Sequence, residues 1–453
     1  MINTSLSQIS AFLDARLIGA DKPIDSVSTD TRVIEPGALF VALKGERFDA
    51  HNFCQQAKEE GAGALLVEKE LDVDLPQLVV TDSRIALGQL ASFVHQSCDI
   101  KTLAITGSCG KTTVKEMLAT ILSQKGKVLY TAGNFNNDIG VPLTLLRCQP
   151  EHDYAVIELG ANHLGEIAYT ANLVKPSVAL VNNVAAAHLE GFGSLDGVKQ
   201  AKGEIYQGLP EEGVAIVNLD SQGDALWQDV LDGKKVVTFS MESPEADYFA
   251  SDIVLNASGQ ADFCLHTPQG SQCIQLTVIG KHNVSNAVAA AALAASIGTS
   301  LPEIVSGLKS TSGIKGRGEV ISLSDSVRLI DDSYNASVPA MKAAVDLLAS
   351  YSGVKWLILG YMAELGDESL ELHRQLGEYA APFEFDYVLT YGDDTKVISD
   401  ICHGHHFTDH NALLAFIGQQ LAQRAGQEHT LLVKGANSAR MSNIATALKE
   451  KHQ

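Results

Sequence analysis

Thr106-Gly107-Ser108-Cys109-Gly110-Lys111-Thr112-Thr113 is the stretch on which the reading of this chain turns. The apolar run Leu103-Ala104-Ile105 precedes it, and an amphipathic stretch follows to about Lys125. Strand, glycine turn, Lys-Thr and helix is an order that holds nucleotide phosphates. Glycines let backbone N–H groups approach oxygen anions, the helix N-terminus adds positive potential, and Lys111 adds a full charge. The Thr112 hydroxyl is placed to ligate Mg2+. The common spacing has a glycine where Ile105 stands, so this loop is shorter and points to a subset of ATP enzymes. An ordinary helix start is the competing reading, and the strand–turn–helix order argues against it.

Outward from the loop, strands and helices alternate. Strands are expected at 127–131, 154–159, 178–182 and 214–218, which implies a parallel sheet with helices on both faces. Before the loop, 38–43 and 63–67 read as buried strands and 85–95 as a helix. After it come a polar, strand-like stretch at 236–278 and an alanine-rich helix at 283–297, with Gly298 as its C-terminal stop. The glycine-punctuated segment 312–318 reads as a hinge. A further block repeats the alternation, with strands at 327–331, 356–360, 387–391 and 430–434.

A chain of 453 residues exceeds a single core, so two to four domains are expected. Its 54 Asp and Glu against 33 Lys and Arg give a net charge of −21, which argues against nucleic acid or an anionic membrane as a main partner. The seven cysteines are odd in number and include no Cys-x-x-Cys; they read as reduced thiols. No secretory leader or membrane-length apolar run is visible. The expectation is a cytoplasmic, non-membrane protein acting on small molecules, as a monomer.

A cation beside the loop needs oxygen or imidazole ligands, and open α/β sheets place these at the carboxyl ends of strands. Glu158, ending Tyr154-Ala155-Val156-Ile157, is the leading carboxylate, against the reading of an acidic helix cap. His188 is either a softer ligand or a structural histidine. Lys199 and Lys202 either meet phosphate or lie on a solvated helix face, the second being favoured from spacing alone. Asn134, Asn136 and Asn137 are either donors to substrate or part of an Asx-rich turn. Asp332 suits a ribose hydroxyl, and Tyr334 and Asn335 can flank a base. Asn283 and Asn286 can read an adenine edge, while Lys315 and Arg317 can close onto phosphates. Cys402-His403-Gly404-His405-His406 with His410 matches no zinc spacing and reads as a connector between a strand and a helix.

Taken in order, these features resemble the Mur ligase family over essentially the whole chain. The resemblance is carried by Thr29-Asp30-Thr31-Arg32, Lys44-Gly45-Glu46-Arg47-Phe48-Asp49-Ala50-His51, the short loop, Glu158-Leu159-Gly160-Ala161-Asn162 and Ala187-His188-Leu189-Glu190-Gly191-Phe192-Gly193. Further on, Asp331-Asp332-Ser333-Tyr334-Asn335-Ala336, Met362-Ala363-Glu364-Leu365-Gly366 and Leu432-Val433-Lys434-Gly435 carry it. It implies an α/β fold of three domains. These are a small N-terminal α/β UDP-substrate-binding domain at 1–83, a central P-loop ATPase-like parallel-sheet domain at 84–314, and a C-terminal Rossmann-like domain at 315–453. The implied activity is ATP-dependent amide-bond formation, adding D-alanyl-D-alanine to UDP-N-acetylmuramoyl-tripeptide through an acyl phosphate in peptidoglycan precursor synthesis. The Asp-Asn-Pro-Arg of diaminopimelate-adding members is absent.

The resemblance also implies roles. ATP would be held by Gly107, Ser108, Cys109, Gly110, Lys111, Thr112 and Thr113, with Asn283, Asn286, Arg317, Asp332, Tyr334 and Asn335. Substrate would be held by Thr29, Asp30, Thr31, Arg32, Lys44, Arg47, Asp49 and His51, with Asn134, Asn136 and Asn137. Lys111, Glu158, His188 and Lys202 would be catalytic, and Thr112, Glu158, His188 and Lys202 would hold two Mg2+ ions. Lys202 becomes a candidate for carbamylation by CO2, which turns an ammonium into an anion. Two departures stand out: Tyr361 replaces the aspartate of Gly-Asp-Met, and Lys434-Gly435-Ala436-Asn437 replaces Lys-Gly-Ser-Arg, with Arg440 the next arginine.

Overall fold

A computed structural model describes residues 1–45, 48–186, 189–221 and 224–451. Three principal sheets follow one another along the chain. The first runs Arg16–Ile18, Gln77–Val79, Ala64–Val67, Leu39–Val41, Val27–Ser28, all parallel except the first strand. Two of its inner strands, Leu39–Val41 and Ala64–Val67, are short and wholly apolar, as two-sided burial requires. The helix Ser83–Gln96, capped by the Asp82 carboxylate on the N–H groups of Arg84 and Ile85, leads to the central sheet.

The central sheet is ordered Gly270–Ile279, Gln260–Thr267, Tyr248–Leu255, Lys235–Ser240, Val214–Asn218, Val178–Val181, Lys101–Thr106, Tyr154–Glu158, Val128–Tyr130. It is parallel from Val128–Tyr130 through Tyr248–Leu255, and Gln260–Thr267 and Gly270–Ile279 at its other edge pair antiparallel. The expected parallel sheet is thus extended at one edge by an antiparallel hairpin from the polar, strand-like stretch. Between Thr267 and Gly270 only two residues turn the chain, and so short a link permits a hairpin but no crossover. The phosphate-loop helix, Lys111–Ser123, buries Val114, Met117, Leu118, Ile121 and Leu122, the stripe that a 3.6-residue period aims at one face. Against it packs the helix His282–Ser296, whose alanines allow close approach. Gly298 follows it with φ +87°, the left-handed stop expected there.

The C-terminal sheet runs Glu319–Ser324, Val327–Asp332, His429–Lys434, Val354–Gly360, Tyr387–Tyr391, His405–Phe407, antiparallel only at its first strand. The expected hinge contains a tight turn, Ile314 to Arg317, closed by an N–H···O bond of 3.0 Å. The cysteine–histidine tract is partly an edge strand: His405–Phe407 pairs with Tyr387–Tyr391, and His406 bonds Thr390 at 3.0 Å.

The reduced-thiol expectation fails at two positions. Cys264 and Cys273 face each other in antiparallel strands and form a disulfide; hairpin register, which the linear spacing did not reveal, brings them together. No helix among the described residues is long and apolar enough to cross a membrane.

One apolar core joins the first two sheets. Leu6, Leu39, Leu66, Leu87 and Leu90 belong to the same cluster as Leu129, Ile157, Val181 and Ile205. The C-terminal sheet has a core on each face, one of which also takes in Ile279 of the central sheet.

Candidate active site

Parallel strands deliver their following residues to one edge, and the site forms there. The loop after Lys101–Thr106 is held by residues just beyond the neighbouring strand Val178–Val181. Asn183 Oδ1 accepts the Cys109 N–H at 2.8 Å, and the Asn182 amide donates to the Cys109 carbonyl at 2.9 Å. Ser108 Oγ bridges the Ala185 carbonyl and N–H, both at 3.0 Å. Gly110 caps the helix with φ +76°. A Cβ there would press on Asn286 Oδ1 and stand 2.7 Å from Asn182 Nδ2. Alanine at Gly110 is expected to destabilise the protein by about 1–2 kcal/mol through the left-handed backbone alone. A lower urea midpoint together with weakened nucleotide binding would register it.

Lys111 lies across the loop, its Nζ donating to the Gly107 carbonyl at 2.8 Å. Burial pushes its pKa down, while the Glu158 charge opposes that shift. Thr112 Oγ1 donates to Glu158 Oε2 at 2.9 Å, and Asn136 Nδ2 donates to Glu158 Oε1 at 2.8 Å. Lys202, on the helix Leu195–Gly203, is 1% exposed. Among the described residues it has no ion-pair partner; its Nζ lies 5.3 Å from the centre of the Phe192 ring. Desolvation first, then the Lys111 charge, lowers its pKa to about 7. Spacing favoured a solvated lysine here. The fold buries it because the helix turns this face inward together with Val198 and Ala201, against neighbouring helices.

These groups share a cleft of about 920 Å³ whose opposite wall is the C-terminal sheet unit. From that wall come Asp332, Tyr334, Asn335 and Lys434, and Arg317 arrives from the hinge. The Arg317 guanidinium sits 4.1 Å from the Tyr334 ring centre, within cation–π range. Asp332 is paired with buried Lys434 at 2.6 Å, and Lys434 also donates to the Asn335 carbonyl at 3.0 Å. Cys109 Sγ and Ser337 Oγ approach to 3.0 Å across the cleft. The two sequence departures meet each other, the Ala436 N–H donating to the Tyr361 carbonyl at 2.9 Å.

Other expected residues stand elsewhere. Asn283 and Asn286 line the cleft but bond internally. Asn182 donates to Asn286 Oδ1 (3.0 Å), Asn286 to Asn283 Oδ1 (2.8 Å), and Asn283 to the Ile279 carbonyl (2.7 Å). They tie the loop to the alanine helix. Asn137 Oδ1 accepts the Gly140 N–H at 2.8 Å, the turn role, whereas Asn134 and Asn136 face the cleft. None of Thr29, Asp30, Thr31, Arg32, Lys44, Asp49 or His51 lines it. Asp30 caps its own turn and grips Arg32, whose hydrogen bonds hold the carboxyl down to about pKa 2. His51 is buried with Nδ1 on Asp49 (2.5 Å) and Nε2 accepting from the Glu68 N–H (2.9 Å). Arg47 and His188 lie outside the described residues. Lys199 pairs with Asp196 at 3.1 Å on the helix surface. The sequence reading missed Asn182 and Asn183, although the strand-end rule that picked out Glu158 also points to them.

A phosphate loop on a parallel sheet, facing a second α/β unit across a polar cleft, defines a nucleotide-dependent enzyme of the two-wall type. Residues 105–294 match the Mur ligase middle domain, 316–437 the Mur ligase glutamate ligase domain, and 23–95 the Mur ligase family catalytic domain. The chain is 52% identical over 451 residues to the UDP-N-acetylmuramoyl-tripeptide–D-alanyl-D-alanine ligase of Escherichia coli, covering 99% of each. A crystal structure of MurF from Acinetobacter baumannii superposes with a TM-score of 0.95 at 38% identity, covering 99% of each chain. MurF ligase from Thermotoga maritima in complex with ADP gives 0.84 at 26% identity, covering 94% of this chain and 97% of that one. The chain belongs to the Mur ligase family.

Proposed function

We propose that this protein joins the amine of D-alanyl-D-alanine to the terminal carboxylate of UDP-N-acetylmuramoyl-tripeptide, converting ATP to ADP and phosphate. The observation that carries the reading is one cleft holding Lys111, the Thr112–Glu158 pair and buried Lys202, faced by a second α/β wall. The identity to a full-length relative of that activity supports the choice of substrates.

A carboxylate is a poor electrophile, so amide formation in water requires activation. The substrate carboxylate attacks the γ-phosphorus, the bond to the β–γ bridging oxygen breaks, and ADP leaves. The dipeptide amine then attacks the acyl carbon of the mixed anhydride, and inorganic phosphate departs with the former carboxylate oxygen. Lys111 and the loop N–H groups face the charge on the transferring group. Thr112 and Glu158 bring oxygens together at 2.9 Å, a donor set that suits Mg2+. As an ammonium Lys202 repels a cation; as a carbamate it would hold a second one with His188. Bound Mg2+ supplies charge neutralisation at the phosphates. Closure of the C-terminal wall excludes water that would hydrolyse the anhydride.

The division of labour we infer is 1–83 for the UDP end, 84–314 for ATP and activation, and 315–453 for the dipeptide. We further infer a cytoplasmic monomer. The test is phosphate release by purified protein. It should require the UDP-linked tripeptide and D-alanyl-D-alanine together. Release indifferent to the UDP-peptide, or equal turnover with diaminopimelate or a single amino acid as the amine, would refute the assignment.

A further inference from the structure

Lys115 is 1% exposed, one turn beyond Lys111 in the phosphate-loop helix. Its ammonium donates to the Thr131 carbonyl at 2.7 Å, pairs with Glu116 Oε1 at 3.0 Å and lies 5.6 Å from the Tyr130 ring centre. An ammonium is expensive to bury even when it is paired, and a methionine would fill the same space. The charge therefore has to be explained by what it holds.

It holds Thr131, the first residue past the strand Val128–Tyr130. The Thr131 N–H still reaches the Val156 carbonyl at 3.1 Å. Its own carbonyl lies where the chain leaves the sheet for the Asn134–Asn136 loop, and Lys115 satisfies it. The Thr131 hydroxyl accepts the Glu158 N–H at 2.9 Å. Glu158 in turn accepts from Thr112 at 2.9 Å and from Asn136 at 2.8 Å. The bonds form a ring that leaves the helix at Lys115, passes through Thr131 and Glu158, and returns to the helix at Thr112. Asn136 is fixed by the same carboxylate.

We infer that Lys115 is a positioning residue. By anchoring Thr131 it holds the Glu158 carboxylate in register with the Thr112 hydroxyl for a divalent cation. This rests on the reading of that pair as cation-binding given above. Groups hydrogen-bonded to metal ligands commonly change metal affinity 10- to 100-fold when lost; Thr131 is bonded to Glu158 directly, and Lys115 acts one link further out through it.

The experiment measures Mn2+ binding to the full-length protein with ADP present, from the loss of the free-ion electron paramagnetic resonance signal. Lys115→Met keeps the apolar stem and is expected to raise the Mn2+ dissociation constant about 10-fold or more. Thr131→Val is nearly isosteric, leaves Lys115 its carbonyl partner and breaks the next link; it should do the same. Because the links are in series, the double variant should be no worse than the worse single variant. A role in packing alone would lower the melting midpoint and leave the dissociation constant at the wild-type value, which would overturn the inference. Additive losses in the double variant would also overturn it. Should Lys115→Met not fold, Thr131→Val decides alone, and wild-type affinity in it overturns the inference. Glu158→Gln separates the two ideas. If it abolishes binding while the other variants bind normally, only the role of Lys115 falls. If it binds normally, the reading of the pair falls with it.

Discussion

Alanine in place of Lys111 is expected to leave no more than about one-thousandth of wild-type product synthesis at saturating ATP. The ammonium is the only full positive charge that the loop itself carries, and it is already folded over the loop at 2.8 Å from the Gly107 carbonyl. Burial disfavours its charge and lowers its pKa, yet Glu158 opposes the shift. An ammonium in this place is poorly solvated, the condition in which a charge acts most strongly on a transferring phosphoryl group. Arginine is not expected to rescue, because its planar fork differs in size and hydrogen-bond geometry from the compact ammonium. The check is steady-state turnover with product quantified chromatographically. A fall in kcat and kcat/KM together places the contact in the transition state, and a rise in KM alone places it in ground-state binding. Undiminished synthesis would remove the basis for reading the loop as an ATP site.

The second large effect is expected at Lys202. Lys202→Met should lose about a hundredfold or more in kcat while the protein stays folded, since the methionine stem fills the same apolar space. Among the described residues the buried ammonium has no counter-charge in contact, an arrangement that is costly unless the group is neutral or modified. Desolvation and the Lys111 charge bring its pKa to about 7, so the free amine is well populated near neutrality. In the proposed carbamylation the amine lone pair would attack CO2, forming a C–N bond and releasing one proton to give a carbamate. Protonation removes the lone pair, so carbamate loading should fall as the pH drops below about 7. Carbon-13 NMR after incubation with labelled bicarbonate measures this directly. The wild type should show a carbamate carbonyl that is absent from Lys202→Met. Its absence from both would leave Lys202 with only a packing role.

The phosphate loop and Glu158 were legible in the sequence because their chemistry is local: a strand, a turn and the residue at a strand end suffice. Most strands were legible for the same reason, since apolar runs of about five residues between polar turns are short-range patterns. The burial of Lys202 was not legible. A lysine on an amphipathic helix declares its face only when the elements packed against that helix are known. Lys115 and Lys434 escaped for a related reason, because each satisfies carbonyls distant in sequence: Thr131 for the first and Asn335 for the second. Asn283 and Asn286, expected to read an adenine edge, line the cleft, but their amides are spent on Ile279 and on one another. The cross-strand disulfide and the antiparallel edge both follow from hairpin register, which the polar stretch at 236–278 did not disclose. The N-terminal residues bearing the family resemblance lie off the main cleft, where no strand-end rule could rank them.

The apolar interior shared by the first two sheets has a mechanical consequence. Units welded through common leucines and valines move as one body, so the end proposed to take the UDP moiety would keep a constant reach to the phosphate loop. The final third, whose sheet is covered by separate cores on its two faces, is the part expected to swing. Any opening stroke must then separate Ser337 from Cys109. That makes the thiol a natural attachment point for a reporter dye sensitive to the gap.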